Sequence, residues 1–208
     1  MGMDRLDRSQ GRWAVSHVRD VVESTVWKGD RPPKPEDIDD VFETERGAFV
    51  TLEKAGELRG CIGRPRPEQS AISALREAAV EAATSDPRFP PVAPAELESI
   101  TVEISVLTPP EPIDVANPDR YPEAIEVGRD GLIVAGNNRV GLLLPQVATD
   151  RDWEAATFLR QACLKAGLPR DSWRAEDVRI ERFGAQVFAE RTPGGQIEAK
   201  SPAPAAEP

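Results

Sequence analysis

Histidine and cysteine are scarce in this chain: His17 is its one histidine, and Cys61 and Cys163 are its two cysteines. A single imidazole argues against a histidine-based metal site or a Ser-His-Asp triad. The two thiols lie about a hundred residues apart with no CxxC partner, so neither a disulfide framework nor a zinc ribbon is indicated. Lysine is confined to Lys28, Lys34, Lys54, Lys165 and Lys200, and acids outnumber bases to give a net charge of −10. That balance argues against strong binding to a phosphate backbone, which depends on clustered Lys and Arg, and leaves room only for a local basic patch. It fits a salt-rich cytoplasm and a GC-rich genome equally well. No apolar run approaches the ~20 residues needed to cross a bilayer. Behind Met1-Gly2-Met3-Asp4-Arg5 there is no apolar signal region, so a cytosolic protein is expected, and no cofactor is called for.

What is present is an ordinary globular balance. At 208 residues, 39% hydrophobic and 30% charged, the chain can bury a core in one sizeable domain or two small ones. Its most informative stretch is Leu58-Arg59-Gly60-Cys61-Ile62-Gly63. In an extended strand, Arg59, Cys61 and Gly63 share one face and Leu58, Gly60 and Ile62 the other. A cation beside a thiol favours the thiolate, the form that reacts and binds metals.

From Gly11 to Lys28, Val15, Val18, Val22 and Val26 recur at helical spacing, and the proline-rich segment after Gly29 reads as a loop. An order of elements then appears twice. The first pass is a hairpin (Gly47 to Leu52, then Leu58 to Gly63), a helix from about Ser70 to Thr84, and a strand alternating through Ile100, Val102, Ile104 and Val106. The second is a hairpin (Gly131 to Val134, then Val140 to Leu144), a helix from about Trp153 to Ala166, and a strand from Val178 to Phe183. Hairpins demand antiparallel pairing, so the expected class is α+β: a largely antiparallel sheet with flanking helices, in two similar hairpin-helix-strand repeats. Leu142 to Leu144, apolar throughout, reads as a central strand buried on both faces. The segment from Thr192 to Pro208 has little to bury and reads as a disordered tail.

Each candidate residue carries two readings. Cys61 is a nucleophile or metal-binding thiolate, or a small core residue. Arg59 binds a substrate carboxylate or phosphate, or closes an ion pair with an acid such as Glu103. Gly60 and Gly63 admit a ligand to the backbone, or mark a bulge or close packing. Arg88 contacts a ligand or reaches back to Asp86 in the turn Asp86-Pro87-Arg88-Phe89. Glu103 and Ser105 share the face of Arg59 and Cys61, or are simply solvated. Gln146 lies where a helix start offers N–H groups to an anion, or caps that helix. Cys163, Trp153 and Trp173 read as packing residues, and Lys165 as a charge covering the end of its helix.

With Leu58 to Gly63, Asp86-Pro87-Arg88-Phe89, Val102 to Leu107, Leu143-Leu144-Pro145-Gln146-Val147 and Lys165-Ala166-Gly167-Leu168 in this order, the chain resembles the AMMECR domain family. The resemblance covers roughly Val15 to Glu190. It implies one domain over residues 11–191 with sub-repeats at about 46–107 and 128–190, followed by the tail, 192–208. It implies an α+β fold with two similar repeats, and a functional site at the Leu58 to Gly63 motif, but no settled reaction. Family association also points to Memo-like and radical-SAM proteins as partners in a pathway with an unidentified small molecule.

Two functions follow as expectations. One is a thiol-dependent enzyme or small-molecule binder for an anionic substrate, with Cys61 and Arg59 catalytic and Gly60, Gly63, Asp86, Arg88, Glu103 and Gln146 binding. The other is a non-catalytic interaction module, favoured by the lack of a recognisable base for the thiol.

Overall fold

A computed structural model describes residues 5–200. Asp7 starts the first helix by accepting from the N–H groups of Ser9 and Gln10 at 2.7 and 2.8 Å, while the Gln10 side chain accepts from the Asp7 N–H. This helix, α1 (Arg8–Lys28), ends at Gly29 in the left-handed conformation. It begins ahead of the valine stripe because polar capping residues, which carry no apolar period, set its start. Ala14, Val15, Val18, Val21 and Val22 are the buried face.

The chain divides into two compact units, residues 5–107 with 186–200, and residues 108–185. In the first, β1 (Ala48–Lys54) and β2 (Glu57–Arg64) form a hairpin, followed by α2 (Ala71–Thr84) and β3 (Ile100–Leu107). The strands β8 (Ala185–Glu190) and β9 (Ile197–Lys200) complete a five-stranded sheet ordered β2-β1-β3-β8-β9. Ala48, Val50 and Leu52 alternate inward from β1 and meet Val102 and Ile104 of β3. Above them α2 lays Ile72, Leu75, Ala79 and Ala82, and the α1 stripe closes the same core. A Cβ at Gly60 would stand 2.3 Å from the Ala82 carbonyl oxygen, so glycine there is what lets α2 rest directly on β2.

The second unit repeats the order. Here β5 (Gly131–Gly136) and β6 (Arg139–Leu143) form the hairpin, α3 (Pro145–Thr149) and α4 (Ala155–Lys165) follow, and β7 (Arg179–Phe183) returns beside β5. With β4 (Glu111–Pro112) the sheet runs β4-β7-β5-β6. In both sheets the first hairpin strand lies between its hairpin partner and the strand after the helix, all antiparallel. Both hairpin loops hold two left-handed residues, Ala55 and Gly56 in one and Asn137 and Asn138 in the other, as a type I′ connection requires. The α+β class with two hairpin-helix-strand repeats is thus the observed one. The boundary differs at the end: residues 186–190, expected within the second repeat, belong to the first unit.

Two expectations need correction. Leu142 to Leu144 do not form a central strand: β6 is the edge of its sheet, the three leucines are half-buried and Val140 is exposed, while β5 holds the centre. Their apolarity reflects packing on one side, where α4 comes so close that a Cβ at Gly141 would stand 2.2 Å from the Ala166 nitrogen. Nor is all of 192–208 without structure, because β9 pairs antiparallel with β8 and Lys200 forms an ion pair with Glu103. Backbone pairing of a four-residue strand leaves little trace in composition; residues 201–208 lie outside the described residues. Among the described residues no helix is long and apolar enough to cross a membrane.

Candidate functional site

The Leu58 to Gly63 motif occupies β2, the edge strand of its sheet. One edge of β2 pairs with β1; the other has backbone groups to satisfy. At Cys61 two side chains do so. Asp86 Oδ2 accepts from the Cys61 N–H at 2.8 Å, and Arg88 Nη2 donates to the Cys61 carbonyl at 3.0 Å. Asp86 and Arg88 thus clip the strand as a neighbouring strand would.

The clip is internally braced. Asp86 Oδ1 accepts from the Arg88 backbone N–H at 3.0 Å and from Nε at 2.9 Å, and Oδ2 from Nη2 at 2.7 Å. The hydrogen bond from Arg88 holds the Asp86 carboxyl well below the usual carboxylate range, against the opposing effect of burial. Asp86 is therefore ionised and unsuited to act as a base near neutral pH. The Arg88 guanidinium is raised by the same bond, with burial opposing, and further by the Cys61 side chain close by. Its Nη1 has no hydrogen-bond partner among the described residues, and its side chain is 51% exposed.

Arg59 differs. The β1–β2 register shifts where Leu52 pairs with Gly60 but Glu53 with Leu58, making Arg59 the extra residue of a bulge. Its Nε and Nη2 donate to Glu96 at 3.1 and 2.8 Å, Nη1 to the Pro90 carbonyl at 2.9 Å, and Nη2 to the Pro91 carbonyl at 3.3 Å. The side chain is only 12% exposed. Hydrogen bonding from Arg59 first, then from the Ala93 N–H, brings the Glu96 carboxyl down to about 2. Arg59 thus has an ion-pair partner, as one reading held, but the acid is Glu96; Glu103 is taken by Lys200. The cation lying against the thiol is Arg88.

Cys61 is half-buried and its sulfur accepts from Thr51 Oγ1 at 3.4 Å, the two residues being direct cross-strand partners. Gly63 pairs with Phe49 in the same way, and a Cβ at Gly63 would meet the Phe49 ring at 2.1 Å. Glu103 and Ser105 pair with Thr51 and Phe49 from the opposite side of β1, so both share the sheet face of Cys61 and Gly63, two strands and about 10 Å across. Gly60 faces α2. Phe89 neighbours two cations, its ring centroid 6.0 Å from Arg59 and 5.5 Å from Arg88. Gln146 belongs to the second unit, in the five-residue α3, where its carbonyl accepts from Asp150 and Thr149. Cys163 is fully buried, and that burial pushes its thiol up.

Sequence reasoning missed Thr51, Phe89 and Glu96. Thr51 was hidden by the bulge: a two-residue loop at Ala55-Gly56 alone would set it opposite Gly60, and the extra residue Arg59 moves it opposite Cys61. Phe89 stood in a noted turn without a role. Nothing in the sequence marks Glu96 out among 36 acids. Among the described residues no three His, Cys, Asp or Glu side chains converge as a metal site would require.

The fold and this edge-strand site define a two-sheet α+β protein with an arginine-flanked thiol. The chain belongs to the AMMECR1 family, whose profile matches residues 15–188. A protein of Methanothermobacter thermautotrophicus is 53% identical over 185 residues, covering 89% of this chain and 96% of that protein. One from Methanocaldococcus jannaschii is 48% identical, covering 94% and 97%. The crystal structure of an uncharacterised protein from Pyrococcus horikoshii is similar with a TM-score of 0.87 at 40% identity, covering 94% of this chain and 98% of that one.

Proposed function

We propose that the β2 edge is a thiol site for a small anionic substrate, in which Cys61 attacks or holds the substrate and Arg88 orients its anionic group. The observation that carries this reading is the exposed Arg88 guanidinium, which lies against Cys61 and whose Nη1 has no hydrogen-bond partner among the described residues. A guanidinium so disposed offers a donor to a carboxylate or phosphate held beside the sulfur. Thr51 supports the same reading by donating to the sulfur. Arg59, whose donors are largely taken, serves as a positioning residue that ties the Pro90 to Glu96 segment to the bulge. A cytoplasmic setting, where thiols stay reduced, suits this chemistry.

The test is iodoacetamide labelling of the intact chain near neutral pH, read by mass spectrometry at both cysteines. Cys61 is expected to label well ahead of Cys163; equal or slower labelling would remove the thiol reading. A second reading, a protein-docking surface without chemistry, is favoured by one observation: the acid nearest Cys61, Asp86, is locked in its ionised form. It is distinguished by capture of one partner from a cell extract that Arg88→Ala abolishes and Cys61→Ser leaves intact.

A further inference from the structure

Arg76 is a buried cation without a carboxylate. It is 5% exposed, in the second turn of α2, and Nη2 donates to the Pro32 carbonyl while Nη1 donates to the Pro33 carbonyl at 3.1 Å and meets His17 Nε2 at 2.9 Å. None of these partners is anionic. Burial, and then the neighbouring Arg76, bring His17 down to about 4, so at neutral pH it is an uncharged acceptor stacked on Trp13. Among the described residues Arg76 has no ion pair and its Nε no partner. Burying a guanidinium without a counter-charge is costly, and a protein retains one more readily where an anion arrives to meet it.

The guanidinium borders a cavity of about 300 Å³ whose other charged lining residues are Arg31, Lys34 and Glu77. Arg31 is exposed with no hydrogen bond or ion pair among the described residues, and it acts on Arg76 as a second positive charge. Lys34 holds Glu43 at the surface, 2.6 Å away. Glu77 is already engaged by Gln69 at 3.1 Å and Arg64 at 3.5 Å. Ser73, also in the lining, accepts from Ser70 and so keeps its own hydroxyl proton to donate. Three cations thus face one cavity in a chain whose net charge is −10.

We infer that this cavity, between the loop 31–34 and the first turns of α2, binds a small phosphate-bearing anion. Several cations and a hydroxyl around one space match a multi-oxygen dianion better than a planar carboxylate, and arginine suits phosphate through its fork of donors. The volume lies at the small end of ligand pockets, enough for a phosphate with a modest organic group. The site shares no residue with the Cys61 site, and its binding does not depend on thiol chemistry.

The test is calorimetric titration of the full chain with inorganic phosphate, pyrophosphate and AMP at fixed ionic strength, with acetate as control. Saturable one-to-one binding of at least one phosphate probe is expected, weakened about tenfold or more in Arg31→Ala, which is ~1.4 kcal/mol or more. Among the described residues Arg31 has no hydrogen-bond or ion-pair partner to lose, so that variant should melt at the wild-type temperature. Arg76→Lys, which keeps the charge but not the fork, should also weaken binding. Tighter binding of AMP than of inorganic phosphate identifies a phosphomonoester ligand, and the reverse order identifies the free ion; both support the site. Phosphate heats no different from those of acetate, or undiminished binding in Arg31→Ala, would overturn it.

Discussion

Asp86 does the work of a missing strand at Cys61. Its two oxygens accept four hydrogen bonds, one from the Cys61 N–H and three from Arg88, with the carboxylate almost wholly buried. Asp86→Ala leaves the Cys61 N–H unpaired and frees Arg88, and is expected to cost about 1–3 kcal/mol in urea unfolding at neutral pH. A loss no larger than that of a typical surface substitution would show that the clip is dispensable. His17 gives a separate signature. Its folded value of about 4 lies below the ordinary 6.5, so between those values the unfolded chain binds the proton more readily and stability falls as pH drops from 6.5 to 4. His17→Gln is expected to flatten that part of the stability profile; an unchanged slope would contradict the buried neutral imidazole. At this scale the sequence was legible in type more than in partner. Arg59 and Cys61 stood out by spacing, but a bulge took Arg59 to Glu96 and a turn 27 residues on brought Arg88 to Cys61. Charge pairing of this kind is fixed by tertiary placement, which one-dimensional spacing does not encode.

Between β2 and α2 the limiting dimension is backbone to backbone. A methyl group at Gly60 meets the Ala82 carbonyl oxygen, which moves only if the helix moves, whereas one at Gly63 meets the Phe49 ring. Gly60→Ala is therefore expected to destabilise by at least the ~1–3 kcal/mol typical of overpacking, and by more than Gly63→Ala, because a side chain can rotate away. Equal costs in chemical unfolding would argue against direct contact of α2 with β2. Elements of this kind were readable beforehand: two hairpins, two long helices and the strands after them fall where periodicity put them. Edge and centre were not. The apolar run in β6 and the buried β5 look alike in sequence, since packing of one face by a helix calls for the same residues as burial of both.

The repeated strand order organises the whole chain, and its closing segment returns to the first unit. There Glu190 accepts from Arg19 on α1 and from the Val102 N–H at 3.0 Å, and β9 pairs with β8 beyond it. Truncation after Arg191 removes β9 and the Lys200 to Glu103 pair, and is expected to lower stability by about 1–2 kcal/mol, chiefly through lost backbone pairing rather than the exposed ion pair. An unchanged melting temperature would return that segment to the status of a tail. Composition pointed the wrong way here because four residues in a strand can be held by main-chain bonds with few apolar side chains.

The measurement that bears most directly on the account is the alkylation rate of Cys61 near neutral pH in a Cys163→Ala background, compared between Arg88→Ala and Arg59→Ala. Arg88→Ala is expected to slow the reaction several-fold, because it removes the cation lying against the sulfur. Arg59→Ala, which frees Glu96 and the Pro90 to Glu96 segment, is expected to lower the melting temperature while changing the rate much less. A rate that falls with Arg59 and not with Arg88, or that responds to neither, would contradict the assignment of Arg88 as the partner of the thiol.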